Sequence, residues 1–193
     1  MAPQLILASS SPFRRELLSR LGIPFLTLSP DIDESPHPGE TPTDLVQRLA
    51  SDKAKKIAAD QHHALVIGSD QIAVHDGEIV GKPRDHEHAM EQLRSASGKS
   101  ITLHTGLALV NTASGRLQVD DIPYTVQFRH LDEQQICRYL AKERPYACSG
   151  SLRADGLGIA LLQRFEGDDP NALIGLPLIR LVDMLQQEGI SVV

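Results

Sequence analysis

The chain has 193 residues, a length typical of one domain or at most two, and 41% of its residues are hydrophobic. A chain of this length buries enough surface to fold without disulfides or structural metals. Its 19 basic and 25 acidic residues give a net charge of −6, which disfavours broad binding to nucleic acid. The absence of tryptophan disfavours base stacking as well. We predict a single domain over residues 1–193 that binds no nucleic acid polymer.

Targeting signals are not visible in the sequence. No basic segment leads into a long apolar run at the N-terminus, so no signal peptide is predicted. Because no stretch of about 18 apolar residues occurs, no association with a membrane is predicted either. The two cysteines, Cys137 and Cys148, form no metal or redox motif and are expected to be reduced. These features predict a cytoplasmic protein.

Strand and helix patterns alternate along the chain. Predicted strands, in chain order, are Gln4–Ala8, Phe25–Leu28, Ala64–Val74, Glu78–Val80, Ser100–Asn111, Leu117–Phe128 and Ile159–Gln163. Predicted helices begin at Ser11, Thr41, Asp85, Asp132 and Leu176, mostly at a polar capping residue or a first-turn proline. Hairpin signals such as Asp76-Gly77 add antiparallel strands. The pattern predicts an α/β domain with a mixed sheet.

The segment 9–15 (SSSPFRR) follows the first predicted strand and begins the first helix. Free N–H groups and the dipole at a helix start favour an anion. The hydroxyls of Ser9 and Ser11 lie beside the guanidinium groups of Arg14 and Arg15, whose planar forks match phosphate oxygens. The segment predicts a phosphate site, although helix capping beside an exposed basic turn explains the same spacing.

Carboxylates suited to a metal or a base occur at two places. Asp70 follows the apolar run 64–67, and a carboxylate at the end of a buried strand would be held rigidly. Asp33 and Glu34, in the proline-rich acidic loop 31–43, add oxygen donors of the kind that Mg²⁺ and Mn²⁺ prefer. Lys82 would bring an ammonium group near Asp70. Ordinary turn residues and a solvated loop are the alternative interpretation.

Other common site types are absent from the sequence. It contains no Walker A loop and no nucleophile elbow. Its eight histidines show no zinc-ligand spacing. The candidate site is therefore one that binds phosphate and a divalent cation and contains a carboxylate.

Taken in order, these segments resemble the Maf family of nucleoside triphosphate pyrophosphatases. The matching segments are 5–18 (LILASSSPFRRELL), 68–70 (GSD), 81–83 (GKP), 105–109 (TGLAL) and 175–178 (GLPL). Each motif alone is weak, but the ordered set spans essentially the whole chain and is highly specific. The resemblance implies a fold related to the inosine triphosphatase group, in which helices flank a mixed twisted sheet with a deep cleft.

The resemblance also implies an activity and its site. The expected reaction cleaves the α–β phosphoanhydride of a nucleotide, with Mg²⁺ or Mn²⁺, to give the monophosphate and pyrophosphate, and so clears modified nucleotides. Asp70 is the expected base or metal ligand, and the sequence does not separate these two roles. Arg14, Lys82 and Lys53, whose family counterpart lines the cleft, would neutralise the triphosphate, and Glu34 would help to bind the metal. Family members are commonly homodimers.

Three features favour the family branch that acts on 7-methyl-GTP. They are Phe13 in Ser-Pro-Phe-Arg-Arg, Gln71 in Ser-Asp-Gln, and Asp155, which follows a Cys-x-Gly-Ser segment and stands where the branch usually has glutamate. A carboxylate such as Asp155 can accept from the N1–H and exocyclic amine of guanine, while Gln71 could contact another polar edge. Methylation at N7 makes the base cationic, which favours an aromatic neighbour such as Phe13, although that side chain is equally suited to packing.

Two other functions are consistent with the same residues. A dTTP/UTP pyrophosphatase of the same family would share the phosphate and acid groups. A non-catalytic nucleotide-binding regulator is the other, since the family name records a link with inhibition of septum formation.

Overall fold

The structure is a computed structural model that describes residues 3–193 and contains seven β-strands and five α-helices in that range. The strands are β1 (Gln4–Ala8), β2 (Phe25–Leu28), β3 (Ala64–His75), β4 (Glu78–Val80), β5 (Ser100–Asn111), β6 (Leu117–Phe128) and β7 (Leu162–Glu166). The helices are α1 (Pro12–Ser19), α2 (Pro42–Ala58), α3 (His86–Ala96), α4 (Glu133–Glu143) and α5 (Leu178–Gln187). Within residues 3–193, no helix is both long enough and apolar enough to span a bilayer.

The strands form one sheet in the order β2-β1-β3-β5-β6-β7, and β4 pairs with β3 off this path. β1 is parallel to both of its neighbours, with Leu5 opposite Phe25 on one side and Leu65 on the other. β4 is antiparallel to β3, and β7 is antiparallel to β6. The predicted α/β fold with a mixed sheet is confirmed.

The chain divides into two compact units. Within residues 3–193, unit 1 contains residues 3–71, His104–Ile122 and Asp169–Val193, and unit 2 contains Ile72–Leu103 and Pro123–Asp168. Because β3, β5 and β6 cross these boundaries, each of the three strands contributes residues to both units. The assignment of residues 1–193 to a single domain stays a prediction.

In unit 1 both faces of β1 and β3 are buried, which explains their nearly continuous apolar sequences. One face packs against helices α1 and α5 through a cluster that includes Leu7, Ile67 and Leu181. The other face carries Ile6 and Val66 and packs against small residues of α2. Alternate residues of the central strands therefore anchor helices on opposite sides of the sheet.

The element boundaries follow local signals with one clear exception. Ser11, Thr41, Asp85 and Asp132 cap their helices as predicted, each side chain accepting from a backbone N–H three residues later. The strand predicted at Ile159–Gln163 has the wrong start, because residues 157–161 form a 3-10 helix and β7 runs from Leu162 to Glu166. The Arg153 carbonyl accepts from both Gly156 and Gly158, and these bonds bend the backbone away from an extended path.

Candidate active site

Two glycines let helix α2 lie unusually close to the sheet in unit 1. A Cβ atom at Gly68 would lie 2.0 Å from the Ala50 carbonyl oxygen, and one at Gly106 would lie 2.0 Å from that of Val46. No side chain fits at such distances, so the helix backbone rests directly on β3 and β5. This contact brings the following turn of α2 beside Asp70, two residues beyond Gly68.

A buried lysine and a buried aspartate form the centre of this region. Lys53 Nζ lies 2.5 Å from Asp70 Oδ1 and 2.6 Å from Glu34 Oε1. Lys53 is only 6% exposed and Asp70 only 8%, whereas Glu34 lies at the surface. Asp70 lies inside β3, whose bounds agree with the predicted strand Ala64–Val74 to within one residue, so only the description of Asp70 as a strand-end residue is wrong. Two carboxylates therefore converge on one ammonium group.

Arg14 is within the electrostatic influence of the same carboxylates. Burial lowers the pKa of its guanidinium, and the charges of Asp70 and Glu34 raise it. Its Nε donates to the Gly175 carbonyl at 2.8 Å, and the same oxygen accepts from Ser69 Oγ at 2.9 Å. Gly175 has a φ of +116°, a conformation that glycine adopts readily. One backbone carbonyl thus holds side chains from two distant motifs.

Gln71 is tied to the turn that precedes Gly175. Its Nε2 donates to the Ala172 carbonyl at 2.6 Å, to the Leu173 carbonyl at 3.3 Å and to Thr105 Oγ1 at 3.0 Å. The amide nitrogen therefore already donates its hydrogen bonds within the protein. Any contact of this side chain with a base is expected through its oxygen.

Sequence reasoning did not assign roles to several residues that build this site. Asp169 is 2% exposed and accepts from the Ile179 N–H at 2.7 Å, which fixes the turn against the start of α5. Ser69, Thr105 and Gly175 lie within the quoted motifs, so the motifs themselves were the available signal. Asp169 lies outside every motif, and nothing in its local sequence indicated its partner.

The serine-rich start of α1 is arranged as a helix cap. Ser9 is buried and its Oγ accepts from the Ser11 N–H at 3.1 Å, while Ser11 Oγ accepts from the Arg14 N–H at 3.4 Å. Phe13 is half-buried in the first turn and Arg15 is exposed. The capping interpretation is confirmed, and the phosphate role of these residues stays a prediction.

The loop that carries Glu34 is anchored to α2. Arg48 Nε lies 2.6 Å from Glu40 Oε1, and Arg48 Nη2 donates to the Ser35 carbonyl at 3.1 Å. The hydrogen bond from Arg48, followed by one from the His37 backbone, lowers the pKa of Glu40 to about 2. The loop and Lys53 are therefore both positioned by α2.

The two carboxylates fit a divalent cation. Within residues 3–193, there is no group of three or more histidine, cysteine, aspartate or glutamate side chains that could hold a metal ion. Asp70 and Glu34 nevertheless already converge on one positive charge, and both offer hard oxygen donors. Mg²⁺ typically takes one or two protein carboxylates and completes its shell with phosphate and water oxygens, which matches this donor set.

Unit 2 contains Lys82 and Asp155. Burial raises the pKa of the Cys148 thiol, Asp155 raises it further, and Lys82 lowers it, so both charged groups act on the same thiol. Lys82 is exposed, and Asp155 Oδ1 lies 3.4 Å from Arg153 Nε. In unit 1, Lys53 therefore pairs with Asp70, whose charge also acts on Arg14. In unit 2, the charges of Lys82 and Asp155 both act on Cys148.

Comparison with known proteins assigns the chain to a family. The family model described as "Maf-like protein" matches residues 4–188, a range that contains every strand and helix named above. Proteins named 7-methyl-GTP pyrophosphatase from Pseudomonas syringae pv. syringae and from Pseudomonas aeruginosa are each 58% identical over 190 residues, covering 98% of this chain and 99% of theirs. The protein of the same name from Methylobacillus flagellatus is 53% identical over 191 residues, covering 99% of this chain and 100% of its own. With this similarity along nearly its whole length, the chain belongs to the Maf family.

Proposed function

We propose that this Maf protein is a nucleoside triphosphate pyrophosphatase that hydrolyses the α–β phosphoanhydride of 7-methyl-GTP. The products are 7-methyl-GMP and pyrophosphate, and the reaction removes a modified nucleotide. The names of relatives that align over nearly their whole length support this substrate. The structural observation that carries the proposal is the buried Asp70–Lys53 pair, whose ammonium group also contacts the exposed Glu34. The charges of both carboxylates act on Arg14 as well.

The cationic groups have a direct role in this reaction. The triphosphate is strongly anionic, and negative charge develops on the leaving oxygen as the bridging P–O bond breaks. Arg14 and Lys53 would bind the phosphate oxygens from fixed positions, and Lys82 would supply a further ammonium group. Positive groups held in place before the reaction stabilise this charge more effectively than solvent does.

Asp70 is proposed to act on the attacking water. Its Oδ1 lies 2.5 Å from Lys53 Nζ, which fixes the position of the carboxylate, and we propose that this group accepts a proton while the water oxygen bonds to phosphorus. Asp70 and Glu34 would also hold Mg²⁺ or Mn²⁺. That ion, when bound, would add positive charge beside the phosphate oxygens.

Recognition of the base is proposed for Asp155, Phe13 and the oxygen of Gln71. A carboxylate can accept from the N1–H and the exocyclic amine of guanine together, and the positive charge of an N7-methylated base strengthens that contact. An aromatic face such as that of Phe13 is attracted to the same cationic ring. Because pyrimidines lack this guanine edge, Asp155 would favour guanine nucleotides.

We also propose a cellular location and an oligomeric state for the protein. A free nucleotide is a cytoplasmic substrate, and we place the protein in the cytoplasm. The family resemblance supports a homodimer, whose mass can be measured by light scattering during gel filtration.

Product analysis over a panel of nucleotides tests the proposed function. The enzyme is incubated with 7-methyl-GTP, GTP, UTP or dTTP and Mg²⁺ or Mn²⁺, and the products are separated by chromatography. We expect equal amounts of 7-methyl-GMP and pyrophosphate, with kcat/KM for 7-methyl-GTP at least about tenfold above that for UTP. Preference for UTP or dTTP would indicate the other family branch. Unchanged nucleotides despite measurable binding would indicate a regulator.

A further inference from the structure

Gln92 of helix α3 joins two separate segments of unit 2. Its Nε2 donates to the Gly81 carbonyl at 3.0 Å, and its Oε1 accepts from Ser151 Oγ at 2.5 Å. The Gly150 N–H donates to the same Gly81 carbonyl at 3.1 Å. One amide side chain therefore links the turn that contains Lys82 to the segment that leads to Asp155.

The segment after Cys148 has only a short 3-10 helix, Ser149–Ser151, whose central residue Gly150 departs from helical backbone angles. Gly150 has a φ of +62° and Ser151 a φ of +56°, an uncommon conformation for a residue with a side chain. Tyr139 OH donates to the Ser151 carbonyl at 3.1 Å and accepts from the Arg153 N–H at 2.9 Å. Because Ser151 is fully buried, its backbone path depends on these polar contacts and on Gln92.

We infer that Gln92 is a positioning residue that fixes the distance between the segment leading to Asp155 and the turn that contains Lys82. The inference rests on the proposed function, in which Lys82 meets the polyphosphate and Asp155 meets the guanine edge. The base and the phosphates of a nucleotide are joined through its sugar, which limits the distance between them. The two protein segments must therefore keep a distance that matches it. Gln92 acts on substrate through these segments and does not touch it.

The chemistry of an amide suits this task. Gly81 presents an acceptor and Ser151 presents a hydroxyl donor, so the joining side chain must donate at one atom and accept at another. Methionine has a similar length and volume but makes neither strong bond. Gln92→Met therefore removes the connection with little change in packing.

The test compares binding of the whole substrate with binding of its triphosphate portion. For Gln92→Met we expect kcat/KM for 7-methyl-GTP to fall about tenfold, the effect of losing roughly one net hydrogen bond. The Ki of UTP as a competitive inhibitor should change less than about threefold, because its base lacks the edge that Asp155 reads. The matched control is Gln134→Met, the same substitution on the exposed face of α4, which should leave both values unchanged.

A second variant keeps the inference testable if Gln92→Met is unstable. Ser151→Ala removes only the hydroxyl that bonds to Gln92, and its selectivity should also fall. Because the two residues share one bond, the double variant should lose less than the product of the two single losses. Thermal unfolding checks that each variant is folded.

Three results would overturn the inference. If neither variant changes the preference for 7-methyl-GTP over UTP, Gln92 is not needed to hold the two segments at their distance. If kcat/KM for 7-methyl-GTP and binding of UTP weaken by the same factor, the role of Gln92 is a general structural one. If the wild-type protein releases pyrophosphate from no triphosphate, the proposed function fails and this inference falls with it. The wild-type control thus separates the two failures.

Discussion

At the scale of single residues, the site of unit 1 depends on the pairing of Lys53 with Asp70. Both side chains are nearly excluded from solvent, so each charge is stable there only because the other is present. Glu34 joins the pair from the surface, and the charges of Asp70 and Glu34 also act on the guanidinium of Arg14 and raise its pKa against the effect of burial. A buried pair of this kind adds little net stability, which is consistent with a role in chemistry.

Replacing Lys53 with methionine leaves Asp70 buried without its partner. We expect the free energy of unfolding to fall by about 3 kcal/mol, measured by urea denaturation, and pyrophosphate release to fall at least about 100-fold. Lys56→Met, at an exposed position of the same helix, should change neither quantity. Adding Asp70→Asn to Lys53→Met should restore most of the stability but none of the activity. Full activity in the single variant would contradict the role of the pair.

Asp155 is the residue at which the choice of base is predicted. Asp155→Gln removes the negative charge, and we expect kcat/KM for 7-methyl-GTP to fall at least about tenfold more than that for UTP. Asp155→Glu keeps the carboxylate and should retain most of the preference. Steady-state kinetics on both nucleotides measures this difference. Equal losses on the two substrates would remove Asp155 from base recognition.

At the scale of elements, α2 positions the site because glycines allow it to approach the sheet. Gly68→Ala would place a Cβ atom 2.0 Å from the Ala50 carbonyl oxygen and so force the helix away from β3. We expect a loss of about 2 kcal/mol in the free energy of unfolding together with reduced activity, because Lys53 moves with the helix. Gly81→Ala has no atom within 4 Å of its new Cβ and serves as the stability control. A Gly68→Ala protein as stable as wild type would show that α2 does not need this close contact.

The titration of Glu40 should report how firmly the acidic loop 31–43 is attached to α2. The pKa of Glu40 is lowered to about 2, so the bond from Arg48 is fully present above the ordinary glutamate pKa and is lost as the pH falls towards 2. Carbon-13 NMR of the glutamate carboxyl groups measures this titration. In Arg48→Met the pKa of Glu40 should return towards its ordinary value, and Glu34 should lose part of its alignment with Lys53. An unchanged Glu40 titration in that variant would show that Arg48 does not hold the loop.

At the scale of the whole molecule, local signals were predictable and distant contacts were not. Polar caps such as Ser11 and Asp132 act on backbone groups three residues away, so the sequence around them was sufficient to predict the helix starts. Arg14 and the Gly175 carbonyl are 161 positions apart, and no local pattern indicates their bond. Residues 159–161 were mistaken for part of a strand because an apolar run alone does not reveal how nearby glycines bend the backbone.

The catalytic role of Asp70 is the central claim, and one substitution tests it most directly. Asp70→Asn keeps the shape of the side chain but can no longer accept a proton from water or balance the charge of Lys53. We expect the folded variant to release pyrophosphate from 7-methyl-GTP at least about 1000-fold more slowly than wild type, with circular dichroism confirming its fold. A rate near that of wild type would show that the reaction does not depend on Asp70.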